Sequence, residues 1–103
     1  MAVGDVMSTT EVFINGLGLI GSSLARAIKK KKQEIVITAA DTDEETLNYA
    51  IANKIIDKAA RNFAAVKTAD IIILATPVDQ IIRTLHELSK LQLKPGVIIT
   101  DVG

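Results

Sequence analysis

Gly16-Leu17-Gly18-Leu19-Ile20-Gly21 spaces three glycines as G-x-G-x-x-G, and this spacing leaves few paths open to the chain. Before it lies Glu11-Val12-Phe13-Ile14-Asn15, a short β-branched and aromatic run with the character of a strand. After it, Leu19 to Lys32 carries a helical period, with Ile20, Leu24, Ala27 and Ile28 placed on one face. A strand that turns directly into a helix needs Gly16 for the tight turn. Gly18 lets a phosphate approach the backbone, and Gly21 lets the helix pack close to the strand. The helix start then offers unpaired N–H groups and the positive end of its dipole to an anion.

The same alternation continues downstream. Glu34 to Ala40 is a second strand-like run, ended by an acid, and Ala69 to Ala75 and Gly96 to Asp101 are two more. The two later runs are almost continuously apolar, which suits parallel strands buried on both faces. A helix is expected from Asp43 to about Asn53, grouping Leu47, Ala50 and Ile51, with Thr42 and Glu45 forming a capping box. A short edge strand near Ile56 to Ala59 and a weak helix over Asn62 to Thr68 follow. A helix from Asp79 to about Leu91 then stacks Ile81, Ile82, Leu85 and Leu88 before Pro95-Gly96 introduces the last strand. Strands alternating with helices call for right-handed crossovers. The fold class is therefore α/β, a Rossmann-like doubly wound parallel sheet of strand order 3-2-1-4-5 with helices on both faces. It forms one domain over residues 11–103, after a flexible lead over residues 1–10.

Composition narrows the function. Twelve Lys and Arg balance 12 Asp and Glu, so no net field attracts nucleic acid or an anionic membrane. Aromatics make up 3% of the 103 residues, too few for a base-stacking platform, and the core must rest on Ile, Leu, Val and Ala. The absence of Cys excludes disulfides and thiolate chemistry. Residues 1–10 lack a basic segment followed by an apolar one, and no apolar run is long enough for a membrane span. A cytoplasmic protein is expected.

Asp41 stands 20 residues past Gly21, at the end of the second strand. In a dinucleotide site a carboxylate there accepts hydrogen bonds from the adenosine ribose hydroxyls and repels a 2′-phosphate. Thr42 and Asp43 supply no cation for such a phosphate, so the reading is NAD rather than NADP. Lys29 to Lys32 end a helix, where they complement its dipole and stay solvated. Asp43, Glu44 and Glu45 open the next helix as capping and dipole partners, Asp70 and Asp79 read as caps, and Asp101 reaches the crevice edge. The single histidine, His86, lies between the apolar helix positions 85 and 88 with no partner at motif spacing, and is structural. No metal-ligand or catalytic set is present.

Gly16 through Ala25, Asp41 through Leu47, Ile55-Ile56-Asp57, Ala69 through Val78, Leu93-Lys94-Pro95-Gly96 and the closing Asp101-Val102-Gly103 together resemble the N-terminal domain of prephenate/arogenate dehydrogenases. The resemblance covers about residues 11 to 103. It implies NAD(P)-dependent oxidative decarboxylation of prephenate to 4-hydroxyphenylpyruvate, in tyrosine biosynthesis, with NADP the less expected cofactor here. By analogy Gly16, Leu17, Gly18, Leu19, Ile20, Gly21, Asp41 and Thr42 hold the ADP-ribose part of the cofactor. Ala75, Thr76 and Pro77 line the rest of the crevice, and Val102 and Gly103 lie near the nicotinamide. Ser22 stands where the family often has glycine, and Asn15 where an apolar residue is common. The family's catalytic histidine and its helical homodimerisation domain are expected beyond Gly103, so this chain is read as a cofactor-binding part without turnover. A stand-alone dinucleotide-binding or regulatory module, or the cofactor domain of another hydroxy- or imino-acid oxidoreductase, are the alternatives.

Overall fold

A computed structural model of the chain describes residues 9–31 and 34–102. Its elements are β1 (Thr10–Asn15), α1 (Leu19–Lys31), β2 (Ile35–Ala40), α2 (Glu44–Ala52), β3 (Lys58–Ala60), a 3-10 turn (Ala64–Thr68), β4 (Ile71–Leu74), α3 (Val78–Leu88) and β5 (Ile98–Asp101). The five strands form one sheet in the order β3-β2-β1-β4-β5, every pairing parallel. This is the Rossmann-like order read from the sequence. β1 begins at Thr10, and the lead expected over residues 1–10 falls, up to residue 8, outside the described residues.

Strand alternation sorts the core into two layers. Val12, Ile14, Ile37, Ala39 and Ile73 face α1 and α2, where Ala25, Leu47 and Ala50 meet them. Phe13, Ile72 and Leu74 face the other way, against Val66, Ile81 and Leu88. Each fully buried Ile or Leu of this kind contributes about 1.5–3 kcal/mol. The aliphatic core expected from composition is joined by one aromatic contact, Phe13 edge-to-face on Phe63 with centroids 6.0 Å apart.

The helices bury narrower stripes than the sequence pattern suggests. On α1 the buried residues are Gly21 and Ala25, flanked by half-buried Leu24 and Ile28, while Ile20 and Ala27 are exposed. Ile51 on α2 and Ile82 and Leu85 on α3 are likewise exposed. The expected groupings are too wide: α1 and α2 pack on Gly21, Ala25, Leu47 and Ala50, and α3 on Ile81, Thr84 and Leu88, which leaves the neighbouring apolar positions outside the contact. The expectation for the last strand also fails. β4 is buried, but β5 is exposed along its length because it lies at the sheet edge.

Local capping differs too. The N-cap of α2 is Asp43, not Thr42. Its Oδ1 accepts from the Glu45 N–H at 3.0 Å and its Oδ2 from the Thr46 hydroxyl at 2.9 Å. A carboxylate one residue nearer the helix reaches the free amide with better geometry than the threonine could. Pro77, not an acid, precedes α3, and Asp79 lies within the first turn, opposite Arg83. Asp70 caps no helix. Its carboxylate accepts the Glu11 N–H at 2.8 Å and meets Lys94 Nζ at 2.6 Å. The backbone hydrogen bond from Glu11, then Lys94, hold the Asp70 carboxyl below the usual carboxylate range, and Lys94 is raised in return. Lys29 departs from the solvated helix end expected for the lysine run: its Nζ donates to the Ile35 carbonyl at 2.9 Å and pairs with Asp57 at 2.6 Å.

Candidate functional site

The C-terminal ends of β1, β2 and β4 meet around one cavity of about 570 Å³, at the crevice where open parallel sheets take their ligands. β1 contributes Asn15 and the glycine loop, β2 leads into Asp41 and Thr42, and β4 leads into Ala75, Thr76 and Pro77. Backbone bonds fix this convergence. Gly16 N–H donates to the Ala40 carbonyl at 2.8 Å, and Ala75 N–H donates to the Asn15 carbonyl at 2.9 Å.

Two of the loop glycines are required by packing and one by openness. Gly16 has φ +105°, and a Cβ there would lie 2.9 Å from Thr76 Cγ2 and 3.0 Å from the Ala75 carbonyl oxygen. A Cβ on Gly21 would drive into the Gly16 carbonyl oxygen. At Gly18 a Cβ would meet nothing within 4 Å, so packing does not explain the glycine. Its bare backbone instead faces the cavity at the start of a 13-residue helix with no acid in its first turn. That arrangement suits an anionic group brought against the amides.

Asp41 turns back on the loop. Its Oδ2 accepts the Leu17 N–H at 2.7 Å and its Oδ1 accepts the Asp43 N–H at 2.9 Å. The carboxylate is thereby held at the cavity wall, still half-exposed, with lone pairs left for further donors. On the opposite wall the Thr76 hydroxyl is buried and has no hydrogen-bond partner. A buried hydroxyl left unpaired is costly, and this one sits on the lining of a cavity a polar ligand could enter.

Of the residues anticipated from sequence, Gly16, Gly18, Asp41, Thr42, Ala75, Thr76 and Pro77 line this cavity together. Leu17 sends its side chain into the core and presents only backbone, while Leu19 and Ile20 stand exposed at the start of α1. Gly21 is buried beneath the loop. Val102 packs against the first core layer, its N–H bonded to the Leu74 carbonyl at 3.0 Å, away from the cavity lining. Gly103 lies outside the described residues. Asp101 is exposed at the end of β5. His86 is exposed, and its carbonyl accepts from Ser89 Oγ at 2.6 Å. Among the described residues no cluster of three or more metal-ligating side chains occurs, and no helix is long and apolar enough to cross a membrane.

Sequence reasoning missed Arg61, Asn62 and Phe63, which form a third wall. The signal was present but indirect. β2 and β3 pair with Ala40 opposite Ala60, so the residues after β3 arrive beside those after β2.

Comparison with known proteins agrees with this geometry. Residues 24–103 match the family model described as prephenate dehydrogenase, nucleotide-binding domain. The match begins past the glycine loop, so loop and match are separate observations. The chain is 42% identical over 93 residues to a prephenate dehydrogenase of Lactococcus lactis subsp. cremoris (strain MG1363), covering 90% of this chain and 26% of that protein. Among solved structures it resembles Synechocystis arogenate dehydrogenase, with TM-score 0.81 and 32% identity over 91% of this chain and 33% of that one. It also resembles an A. aeolicus prephenate dehydrogenase in complex with hydroxyphenyl propionate and NAD+, with TM-score 0.81 and 27% identity over 91% of this chain and 33% of that one. The chain thus spans about a quarter of the curated relative and a third of the solved chains.

Proposed function

Since the chain belongs to the prephenate dehydrogenase nucleotide-binding family, we propose that it is the NAD-binding part of a prephenate or arogenate dehydrogenase. The observation that carries this reading is the single cavity lined jointly by Gly16, Gly18, Asp41 and Thr76. The residues fit a dinucleotide. An open glycine approach suits a pyrophosphate, a fixed carboxylate suits ribose hydroxyls, and an unpaired hydroxyl on Thr76 awaits a polar partner. NAD+ bound in the A. aeolicus relative supports the same cofactor here.

In this reading the amides opening α1, next to Gly18, hold the pyrophosphate, with Leu19, Ile20 and Gly21 supplying backbone, and Leu17 ties the loop to Asp41. Asp41 orients the adenosine ribose and disfavours a 2′-phosphate. Thr42 borders the same end, and Ala75, Thr76 and Pro77 flank the far side. When bound, NAD+ supplies a hydride acceptor. The residues here bind and orient it, while the groups that hold and deprotonate a prephenate-like substrate belong to the larger part of the relatives that this chain does not span. Oxidative decarboxylation in tyrosine biosynthesis, and assembly as a homodimer, are assigned to that whole enzyme. Residues 11–103 act as one cofactor-binding unit without turnover of their own.

The test is a ¹⁵N NMR titration with NAD+. Shifts concentrated at Gly16, Gly18, Asp41 and Thr76 are expected, and no shifts at millimolar NAD+, or stronger binding of NADP+, would overturn the reading.

A further inference from the structure

Arg61 is the basic residue among the described residues lining the cavity, and it shares that lining with Asp41. The sheet register brings it there. Ala40 pairs with Ala60, so Asp41 and Arg61 are the next residues on adjacent parallel strands, whose backbones run about 4.8 Å apart. The Asp41 oxygens accept the Leu17 and Asp43 backbone amides, which turn the carboxylate toward the glycine loop. Arg61 pairs instead with Glu44 in the first turn of α2, a helix start fixed by its Asp43 cap.

We propose that the Glu44–Arg61 pair sets which 2′ substituent the site accepts: Glu44 occupies the guanidinium that would otherwise receive a 2′-phosphate. The proposal rests on the dinucleotide reading above. A free arginine offers two parallel N–H donors that match a phosphate, and it outweighs one neighbouring carboxylate far better than a paired one does. With Glu44 in place, Asp41 and Glu44 outnumber the one guanidinium and the adenosine end is net negative. Rejection of a 2′-phosphate is then shared between Asp41, which faces the ribose directly, and Glu44, which withholds the cation. The pair is exposed, 69% for the Arg61 side chain and 55% for Glu44, so it can be exchanged for a ligand without burying a charge.

The experiment measures the affinities of NAD+ and NADP+ by NMR titration at fixed salt for wild type, Glu44→Gln, Arg61→Gln and the double variant. In Glu44→Gln the NADP+ to NAD+ affinity ratio rises by about fivefold, the scale of one exposed charge pair. In Arg61→Gln, a substitution outside any helix, the ratio falls, because Glu44 is left without its cation. In the double variant the rise disappears. A ratio unchanged in both single variants overturns the proposal, as does a rise that persists once Arg61 is gone. Wild type binding NAD+ with a ratio that ignores both substitutions removes this inference alone. Wild type binding neither dinucleotide removes the cofactor reading with it.

Discussion

At the N-terminal end of the sheet Asp70 and Asp57 each accept a backbone N–H from a neighbouring strand and each close on a lysine, Lys94 and Lys29. At the C-terminal end Asp41 also accepts backbone N–H groups, but it forms no ion pair among the described residues. One chemistry therefore serves two purposes. Where the carboxylate meets a cation its charge is neutralised, and the contact joins strands to the segments around them. Where it meets only amides its charge remains available, at the end of the sheet where parallel α/β folds bind ligands. The glycines divide in the same way: Gly21 is filled by its surroundings, whereas Gly18 faces open space.

The sharpest way to break the comparison is to place side chains at those two glycines. Gly21→Val forces branched carbon into the Gly16 carbonyl and separates α1 from the strand end, so a loss of about 3 kcal/mol is expected in urea denaturation. Gly18→Ala meets no atom within 4 Å, so its folding stability stays within about 0.5 kcal/mol of wild type. Its NAD+ affinity falls by at least about tenfold, because the methyl occupies the approach to the backbone. A Gly18→Ala protein that binds NAD+ as wild type does would remove the distinction between the two positions.

These glycines also show what was legible in the chain. The spacing of Gly16, Gly18 and Gly21, with Asp41 beyond, marks the loop, the strand order and most of the cavity wall, because these depend on local turns and period. The helix faces were read less well: Ile20, Ile51 and Ile82 fit an apolar stripe by spacing yet lie exposed. Periodicity fixes a face only to within part of a turn, and the closest packing point, such as Gly21 with Ala25, decides the rest. Ile98 and Ile99 misled for another reason, since an edge strand and a central strand can share one composition. Arg61 is not legible in the sequence around Asp41, because it lies 20 residues further on and arrives across the sheet through the Ala40–Ala60 register.

The next effect is smaller and lies at the other end of the sheet. Asp70→Ala removes the acceptor of the Glu11 N–H and the partner of Lys94, with an expected cost of about 1–2 kcal/mol from the charge-assisted backbone bond. NAD+ affinity is expected to match wild type, because Asp70 lies across the sheet from the cavity. Urea denaturation and the NMR titration, run on one sample, check both halves. Weakened NAD+ binding in this variant would show that the two ends are coupled.

The smallest effect is the dependence of that contact on pH, and its sign follows from the direction of each shift. Asp70 is held below its ordinary value of 3.8, so its contribution is complete above that value and is lost as pH falls through the lowered one. Lys94 is held above 10.5, so its contribution is complete below that value and is lost as pH rises through the raised one. The stability difference between wild type and Lys94→Met should therefore stay level from about pH 5 to pH 9 and shrink on both sides of that range. Because the lysine is exposed, added salt should flatten the whole profile. A difference that persists unchanged below pH 3 would mean that Lys94 acts through its aliphatic stem against the sheet, and the N-terminal end would then owe its tie to packing instead of to charge.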